Sequence, residues 1–304
     1  MLSILQTIGN TPLVQLQQRK QVFAKLEYFN PGGSIKDRTA LYMIEEAERK
    51  GILQPNSTII EPTAGNTGIG LALVARQKNY KVIFTVPAKF SKEKQVLMKS
   101  LGATIIHTPT EEGMEGAIKK AFEIKKSTPN SFIPQQFSNS ANTKAHYETT
   151  GREIHEQMNK KVDIFVAGVG TGGTFSGAAK YLKEQNQHLI AIAVQPSGSV
   201  LDNQPSSPHK TEGIGIDNVK TSVILDHALI DEVITVQDKQ AHEMVKHLAA
   251  NEGILVGSSS GAAAFAALKI SERFPNKRIA TIFPDGADRY LSKNLLGDFN
   301  EWKI

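Results

Sequence analysis

The sequence predicts an α/β fold of two three-layer α/β/α domains, each built on a mostly parallel sheet. Short apolar runs alternate along the chain with segments that are apolar at helical spacing. The alternation fills both halves of a 304-residue chain, a length that is comfortable for two domains. Several predicted strands run directly into loops of small residues that open a helix, as expected when ligands bind at the carboxyl ends of parallel strands.

The first half of the chain alternates regularly. After a turn at Gly9–Leu13, the pattern predicts a strand at Val22–Leu26 and a helix over 39–50. Ser91 is a candidate N-cap and Gly102 a candidate C-cap for the helix between them. The other predicted elements are strands at 58–61, 81–86, 103–107 and 131–137, and helices at 67–78, 113–126 and 141–158.

The second half repeats the alternation without an obvious sequence repeat. A glycine-rich loop at 168–174 follows the first of its strands, and residues 196–218 form an irregular stretch rich in Gly, Ser and Pro. The predicted strands are 161–167, 189–195, 232–236 and 278–283, and the predicted helices are 175–183, 238–251 and an alanine-rich segment that ends at 273.

Composition excludes several classes of function. Apolar residues make up 40% and charged residues 21%, as in an ordinary globular protein. The net charge is +5, but basic residues such as Lys119 and Lys125 lie among acidic ones in a helical pattern, so we expect a solvated helix face and no nucleic-acid partner. The chain has no cysteine, which removes disulfides, thiolate zinc sites and cysteine nucleophiles. We expect no metal site.

The sequence shows no targeting signal. The first ten residues lack the basic and apolar regions of a signal peptide, and no apolar run approaches membrane-spanning length. We therefore expect a cytoplasmic protein that does not contact membranes.

Lys36 occupies an unusual position for a lysine. It lies in the segment Asn30–Arg38, where a strand and a Pro-Gly-Gly turn lead into a helix. An amine in a cleft at the positive end of a helix is favoured in its neutral, nucleophilic form, which a Schiff-base lysine requires. The alternative is that Lys36 and Arg38 merely flank the start of a helix.

The loop Gly170-Thr171-Gly172-Gly173-Thr174 has the features of a phosphate site. It follows a strand and opens a helix, so its small residues let backbone N–H groups and the helix dipole converge on an anion. It lacks the Lys of a P-loop, and no acidic ribose ligand follows at roughly 20 residues, so the phosphate belongs to something smaller than a dinucleotide. A glycine turn for close packing is the alternative.

Two further strand-to-helix loops consist of small polar residues. In Thr63–Gly68, the helix N-terminus favours an anion such as a carboxylate, and the Asn66 amide can hydrogen-bond a ring substituent. In Gly257–Gly261, a serine hydroxyl could partner a neutral heterocyclic nitrogen. For both loops the alternative is simple N-capping.

These motifs together resemble those of the cysteine synthase and cystathionine β-synthase family. The resemblance runs from Gly9–Leu13 to Asp288–Ser292. It implies a pyridoxal-phosphate enzyme of fold type II, with a tryptophan-synthase-β-like fold, small amino-acid substrates and a homodimeric state. The implied cofactor contacts are Lys36, Asn66, Gly170, Thr171, Gly172, Gly173, Thr174 and Ser259, with Lys36 as the catalytic residue. The implied substrate contacts are Thr63, Ala64, Gly65, Asn66, Thr67, Gln136 and Gly213.

The resemblance also implies a division into domains. Residues 1–36 and 145–304 would form a large cofactor-binding domain, and residues 37–144 a small mobile domain that closes over the substrate. The implied reaction is β-replacement, in which Lys36 removes the α-proton and a thiol replaces the group on the β-carbon.

Local features favour homocysteine over sulfide as the thiol, and hence cystathionine over cysteine as the product. Glu212–Asp217 resembles the Glu-Gly-Ile-Gly-Tyr-Asp of cystathionine synthases, and Pro284-Asp285 resembles their Pro-Asp. A carboxylate at the cleft could pair with the ammonium of homocysteine, which sulfide lacks. The alternative is that Glu212 and Asp217 are solvated loop charges and that the protein is a cysteine synthase. Cysteine as donor would release hydrogen sulfide.

The sequence departs from the family at two positions. Ala64 stands where serine is usual, and Ile216 stands where the cystathionine motif has tyrosine. Two other functions are weaker alternatives. A threonine or serine dehydratase usually has a different lysine motif from Ser34–Arg38, and a cofactor-free binding protein is disfavoured by the intact Lys36 and phosphate loop.

Overall fold

Two separate β-sheets organise the computed structural model, which describes residues 1–218 and 222–297. The larger sheet has six strands in the order β1-β2-β10-β7-β8-β9. All of its neighbouring strands are parallel except β1 and β2. Its strands are β1 (Leu13–Gln15), β2 (Val22–Leu26), β7 (Ile164–Gly168), β8 (Ile190–Pro196), β9 (Glu232–Val236) and β10 (Ile279–Phe283).

The smaller sheet has four strands in the order β5-β4-β3-β6, all parallel. Its strands are β3 (Thr58–Pro62), β4 (Lys81–Pro87), β5 (Thr104–Thr108) and β6 (Ser131–Phe132). The chain leaves the larger sheet after β2 and returns to it at β7. The α/β class with two mostly parallel sheets is therefore confirmed.

Helices cover both faces of each sheet because alternate strand residues are apolar on both sides. In β7, Ile164 and Val166 join one core cluster while Phe165 and Ala167 join the other. The helices are α1 (Lys36–Arg49), α2 (Asn66–Gln77), α3 (Lys92–Ser100), α4 (Gly113–Ser127), α5 (Ser140–Ala145), α6 (Arg152–Gln157), α7 (Gly173–Gln185), α8 (Asp238–His247) and α9 (Ser258–Arg273).

The long helix predicted over 141–158 is interrupted. A π-helical segment, His146–Gly151, joins α5 to α6, and a second one, Leu248–Glu252, extends α8. One extra residue in a helical turn changes which side chains face inward, and such turns are frequent at functional sites.

Most predicted elements occur within a few residues of their predicted bounds, but one is much shorter. The strand predicted over 131–137 ends at Phe132, and Gln135 adopts a left-handed conformation with φ of 56°. Ser91 caps α3 by accepting a hydrogen bond from the Lys94 N–H, and Gly102 has the positive φ expected beyond its end. Among residues 1–218 and 222–297, no helix is both long and apolar enough to cross a membrane.

Candidate active site

A cleft between the two sheets collects loops from the carboxyl ends of strands in both. The predicted site residues that line it are Lys36, Asn66, Gly170, Thr171, Gly172, Thr174, Gly213 and Ser259. The structure thus brings together residues that lie up to 223 positions apart in the sequence.

Lys36 is the first residue of α1 and is held against the end of β10. The preceding residue, Ile35, donates its N–H to the carbonyl oxygen of Pro284 at 2.9 Å, and Ser34 forms a β-bridge with Asp285. Burial lowers the pKa of Lys36 to about 8, while the Asp285 carboxylate opposes this shift. A substantial fraction of the amine is therefore neutral near physiological pH.

The Gly170–Thr174 loop requires glycine for two physical reasons. Gly172 precedes α7 with a φ of 85°, where a Cβ atom would lie 2.6 Å from Cβ of Leu225. A Cβ on Gly170 would lie 2.7 Å from the carbonyl oxygen of Gly213. The absence of side chains at the N-terminus of α7 therefore allows close packing, and it is also what a candidate anion site at a helix N-terminus requires.

Two polar side chains that the sequence analysis missed support this loop from behind. Asn142 donates hydrogen bonds to Thr171 Oγ1 at 3.1 Å and to the Gln136 carbonyl oxygen at 2.9 Å. The buried His146 ring lies within hydrogen-bond distance of the hydroxyls of Thr39, Thr150 and Thr174. Burial lowers the pKa of His146 well below its usual range, so the ring is neutral. In the sequence, Asn142 and His146 are marked only by a polar loop that precedes a helical pattern, which does not distinguish them from other helix residues.

Asn66 begins α2 and is fixed by two charged groups. Its Nδ2 donates to Asp285 Oδ2 at 2.6 Å, and its Oδ1 accepts from Arg289 Nη1 at 2.6 Å. Asp285 also accepts a hydrogen bond from the Tyr290 hydroxyl at 2.6 Å and is 1% exposed. These contacts orient the Asn66 amide at the cleft.

The two segments predicted to bind a substrate carboxylate lie side by side. Thr67 Oγ1 donates to Gln136 Oε1 at 2.7 Å, which joins the Thr63–Thr67 loop to the loop after β6. The buried Glu61, at the end of β3, accepts from the Gln135 N–H at 3.2 Å. Burial raises the pKa of Glu61 to about 7, and the backbone N–H groups of Gln135 and Gln136 oppose this shift. Ala64 and Gly65 complete the loop and are half-buried.

Ser259 and Gly213 meet on the opposite side of the cleft. Ser259 lies in the first turn of α9 and is 2% exposed. A Cβ placed on Gly213 would lie 3.8 Å from Ser259 Oγ, so the two residues are neighbours in the lining of the cleft. The neighbouring Ser258 Oγ accepts the Glu212 N–H at 3.0 Å and anchors that loop.

Three residues of the Glu212–Asp217 motif lie in different environments. Glu212 is partly buried and pairs with Lys94 Nζ at 2.8 Å and with Lys293. Asp217 is exposed, as the solvated-charge alternative expected of it. Ile216 packs in the core of the larger sheet, so the position that differs from the family motif does not line the cleft.

The fold and the cleft define a pyridoxal-phosphate dependent enzyme, and the chain belongs to that family, whose sequence model matches residues 4–285. It is 47% identical to the O-acetylserine dependent cystathionine β-synthase of Bacillus subtilis over 298 residues, which cover 96% of each chain. It is also 47% identical to a cysteine synthase of Helicobacter pylori, over 95% of this chain and 96% of that one. Among solved structures, an O-acetylserine dependent cystathionine β-synthase from Helicobacter pylori superposes with a TM-score of 0.91 at 46% identity, covering 97% of this chain and 98% of that one.

These comparisons confirm the resemblance inferred from the motifs, the cofactor and the enzyme class. The protein is a pyridoxal-phosphate dependent enzyme of the β-replacement type. The residues of the cleft fit the cofactor, because a partly neutral lysine faces a glycine loop at a helix N-terminus that a Cβ atom would obstruct.

Proposed function

We propose that the protein makes cystathionine by β-replacement on O-acetylserine or serine with homocysteine. The observation that carries the proposal is the position of Glu212. Its backbone is anchored to α9 beside the cleft-lining Gly213, and its carboxylate pairs with Lys94 of α3. A fixed carboxylate there suits a thiol that carries an ammonium group. The relatives named as cystathionine β-synthases support the same choice.

In this proposal each segment of the cleft has one task. Lys36 holds the cofactor covalently, Gly170–Thr174 bind its phosphate, Asn66 meets its ring hydroxyl, and Ser259 faces its ring nitrogen. When bound, the cofactor supplies the electron withdrawal that makes the substrate α-proton acidic.

The protein supplies position and proton transfer. Thr63, Ala64, Gly65, Asn66 and Thr67 bind the substrate carboxylate with Gln136, and Gly213 leaves room for the reacting β-carbon. Lys36 takes the proton from the α-carbon and later returns it, since its lowered pKa makes the free amine available as a base. With O-acetylserine the products are cystathionine and acetate, and with cysteine as donor hydrogen sulfide is released.

Cysteine synthase activity, with sulfide as the thiol, is the second candidate. Relatives that are 47% and 46% identical to this chain carry that name. The pairing of Glu212 with two lysines also favours it, because a carboxylate that is already neutralised attracts an ammonium less strongly.

A competition assay separates the two functions. Purified holoenzyme receives O-acetylserine with homocysteine and sulfide at equal concentrations, and both products are quantified. We expect cystathionine to predominate. Predominant cysteine would assign the protein to the cysteine synthases. If the enzyme formed neither product, β-replacement on this donor would be refuted.

The remaining expectations concern the whole protein. We propose a homodimer in the cytoplasm, as the family resemblance implies, and a small mobile domain of residues 37–144 that closes on a large domain of residues 1–36 and 145–304. Light scattering would give the mass of the particle. Small-angle scattering with and without a donor analogue would detect closure, and an unchanged profile would contradict it.

A further inference from the structure

Glu61 is a buried carboxylate that backbone N–H groups bind. It is 2% exposed near the end of β3, and its Oε2 accepts the N–H of Gln135 at 3.2 Å. Among residues 1–218 and 222–297, no charged side chain contributes to its pKa. Burial of a carboxylate away from any cation is destabilising unless other donors satisfy it, so this position needs a physical reason.

The smaller sheet shows why a carboxylate stands here. β6 ends at Phe132, opposite Ile59, and Glu61 lies two residues further along β3. Pro134 has no N–H, and the Glu61 side chain accepts the first N–H after that proline. On its face of the sheet Glu61 adjoins Ile59 and Phe84, which belong to the apolar core. The side chain of Glu61 therefore takes the place of a strand partner for the segment that follows β6.

That segment connects the two walls of the cleft. Gln136 Oε1 accepts the hydroxyl of Thr67 at 2.7 Å, and Thr67 follows the cleft-lining Asn66. The Gln136 carbonyl oxygen accepts from Asn142 Nδ2 at 2.9 Å, and the same Nδ2 donates to the cleft-lining Thr171 at 3.1 Å. Because Oε1 accepts the bond from Thr67, the Nε2 group is the donor that the Gln136 amide can offer to a ligand.

We propose that Glu61 is a positioning residue for the donor amino acid, since its ionised carboxylate fixes the backbone of Gln135 and Gln136 so that the Gln136 amide meets the substrate carboxylate. Protonation of Glu61 weakens its hold on that backbone and releases the amide. The inference rests on the proposed function, in which Thr63–Thr67 and Gln136 bind the carboxylate of the donor.

The conformation of Gln135 explains why the charge matters. Its φ of 56° is one that residues other than glycine rarely adopt and that needs outside contacts to persist. A hydrogen bond to an ionised carboxylate is such a contact, and it is stronger than one to a neutral acceptor. A protonated carboxyl is a weaker acceptor and adds an O–H donor beside the N–H groups. Loss of the charge therefore lets the segment leave the conformation that presents Gln136.

The resulting pH dependence has a defined direction. Burial raises the pKa of Glu61 to about 7, and the N–H groups of Gln135 and Gln136 oppose this shift. Roughly nine in ten of these carboxyls are then ionised at pH 8, and roughly one in ten at pH 6. The affinity for the donor carboxylate should therefore fall by up to about tenfold between pH 8 and pH 6.

The experiment compares two ligands that differ at the carboxylate. L-Alanine has no leaving group, so it binds without β-replacement, and L-alaninol carries a hydroxymethyl group in place of the carboxylate. Titration of the holoenzyme at pH 6, 7 and 8, followed by its absorption spectrum, gives the dissociation constant of each ligand. The ratio of the two constants removes effects common to both ligands, such as the titration of Asp37, whose pKa burial also raises to about 7.

The variants are Glu61→Gln and Glu61→Asp, and the control is Glu115→Gln, an exposed glutamate of α4. Glu61→Gln should weaken alanine binding about tenfold at pH 8, leave alaninol unchanged and make the ratio independent of pH, because glutamine does not titrate. Glu61→Asp should keep the pH dependence with weaker alanine binding, because it keeps the charge on a shorter side chain. Glu115→Gln should match the wild type.

A wild-type ratio that stays constant between pH 6 and pH 8 would overturn the inference without any variant. An equal loss of alanine and alaninol binding in Glu61→Gln would also overturn it and make Glu61 a purely structural residue. Failure of the proposed function is distinct, because it shows in the wild type at pH 8. Equal binding of the two ligands there would remove the carboxylate site itself, and the competition assay would show whether cystathionine is formed.

Discussion

At the scale of single residues, the balance between burial and one carboxylate sets the chemistry of Lys36. Burial favours the neutral amine, whereas Asp285 favours the charged one. Asp285 is held in place by Asn66 and Tyr290, so its charge acts from a fixed position.

The Asp285→Asn variant should lower the pKa of Lys36 below about 8, since it removes the attraction that opposes burial. More of the amine is then neutral at pH 7, so cofactor should attach to the apoenzyme faster there than in the wild type. Stopped-flow absorbance of cofactor attachment between pH 6 and 9 measures this. A rate profile that stays in place, or moves to higher pH, would contradict the role given to Asp285.

His146 is a buried neutral ring that links the Gly170–Thr174 loop to the helix carrying Lys36. It contacts Thr174 in α7 and Thr39 in α1. His146→Ala should weaken cofactor binding about tenfold and lower the free energy of unfolding by about 1–3 kcal/mol, because buried hydroxyls lose their hydrogen-bond partner.

The effect of His146 on stability should depend on pH in a defined direction. Its pKa is depressed in the folded protein, so the unfolded chain binds the extra proton and stability falls as pH drops below about 6.5. Urea unfolding between pH 5 and 8 should show a smaller loss in His146→Ala than in the wild type. Equal slopes would mean that another group controls the acid limb.

At the scale of elements, the start of α7 shows how the conformation of a loop shapes a candidate binding site. Gly172 combines a left-handed backbone with a close approach to Leu225, whereas Gly102, after α3, has a similar φ of 90° with no atom within 4 Å of its Cβ position. Substituting each glycine in turn therefore distinguishes the effect of backbone strain from the effect of steric obstruction.

Gly172→Ala should destabilise the protein by more than the roughly 1–3 kcal/mol of backbone strain and should weaken cofactor binding at least tenfold. Gly102→Ala should show the strain alone, with unchanged cofactor affinity. Thermal unfolding and equilibrium dialysis provide the two readouts. Equal cofactor affinity in both variants would show that the α7 loop tolerates the added atom.

The spacing of apolar residues predicted nearly every strand and helix, because it depends only on the local sequence. The three-residue β1 was missed, since its antiparallel pairing with β2 leaves no periodic signal in so short a run. The strand predicted beyond Phe132 is wrong because Gln135 turns to donate its N–H to Glu61, 74 residues earlier. A contact at that separation has no signature in the local sequence.

The same distinction holds for the candidate site. Loops of glycine and serine can be recognised from the residue types and spacing of a short segment. Gly170–Thr174 and Ser259 could therefore be named as candidate site residues from the sequence. Lys94 and His146 could not, because Lys94 meets Glu212 across 118 positions and His146 meets Thr39 across 107. Their residue types are ordinary for helix faces until the tertiary contact is known.

At the scale of the whole molecule, a buried ionic network fixes α1 to the larger sheet. Arg38 makes two hydrogen bonds with Glu27, at 2.8 and 2.9 Å, and two with Glu153, at 2.5 and 2.8 Å. Lys25 adds a second cation, 2.6 Å from Glu153. Two cations and two anions balance, and the helix that begins at Lys36 is thereby anchored two residues after it.

Arg38→Met should destabilise the holoenzyme by about 3–5 kcal/mol, since it leaves the fully buried Glu27 carboxylate without its guanidinium. The double variant Arg38→Met, Glu27→Gln should recover much of this loss because no unpaired charge remains. The midpoint of urea unfolding measures both. A double variant no more stable than the single one would mean that Arg38 acts by packing and not by charge.

The π-helical segment between α5 and α6 has a further consequence for the whole molecule. Asn142 precedes it and donates a hydrogen bond to Thr171 in the Gly170–Thr174 loop, whereas Glu153 follows it and pairs with Arg38. Deleting one residue from His146–Gly151 would convert the segment to a regular α-helix and rotate one side chain relative to the other by about 100°. Either the anion loop or the ionic anchor would then lose its partner. The extra residue therefore sets the rotation between the two ends of the helix at which both contacts, that of Asn142 and that of Glu153, can form.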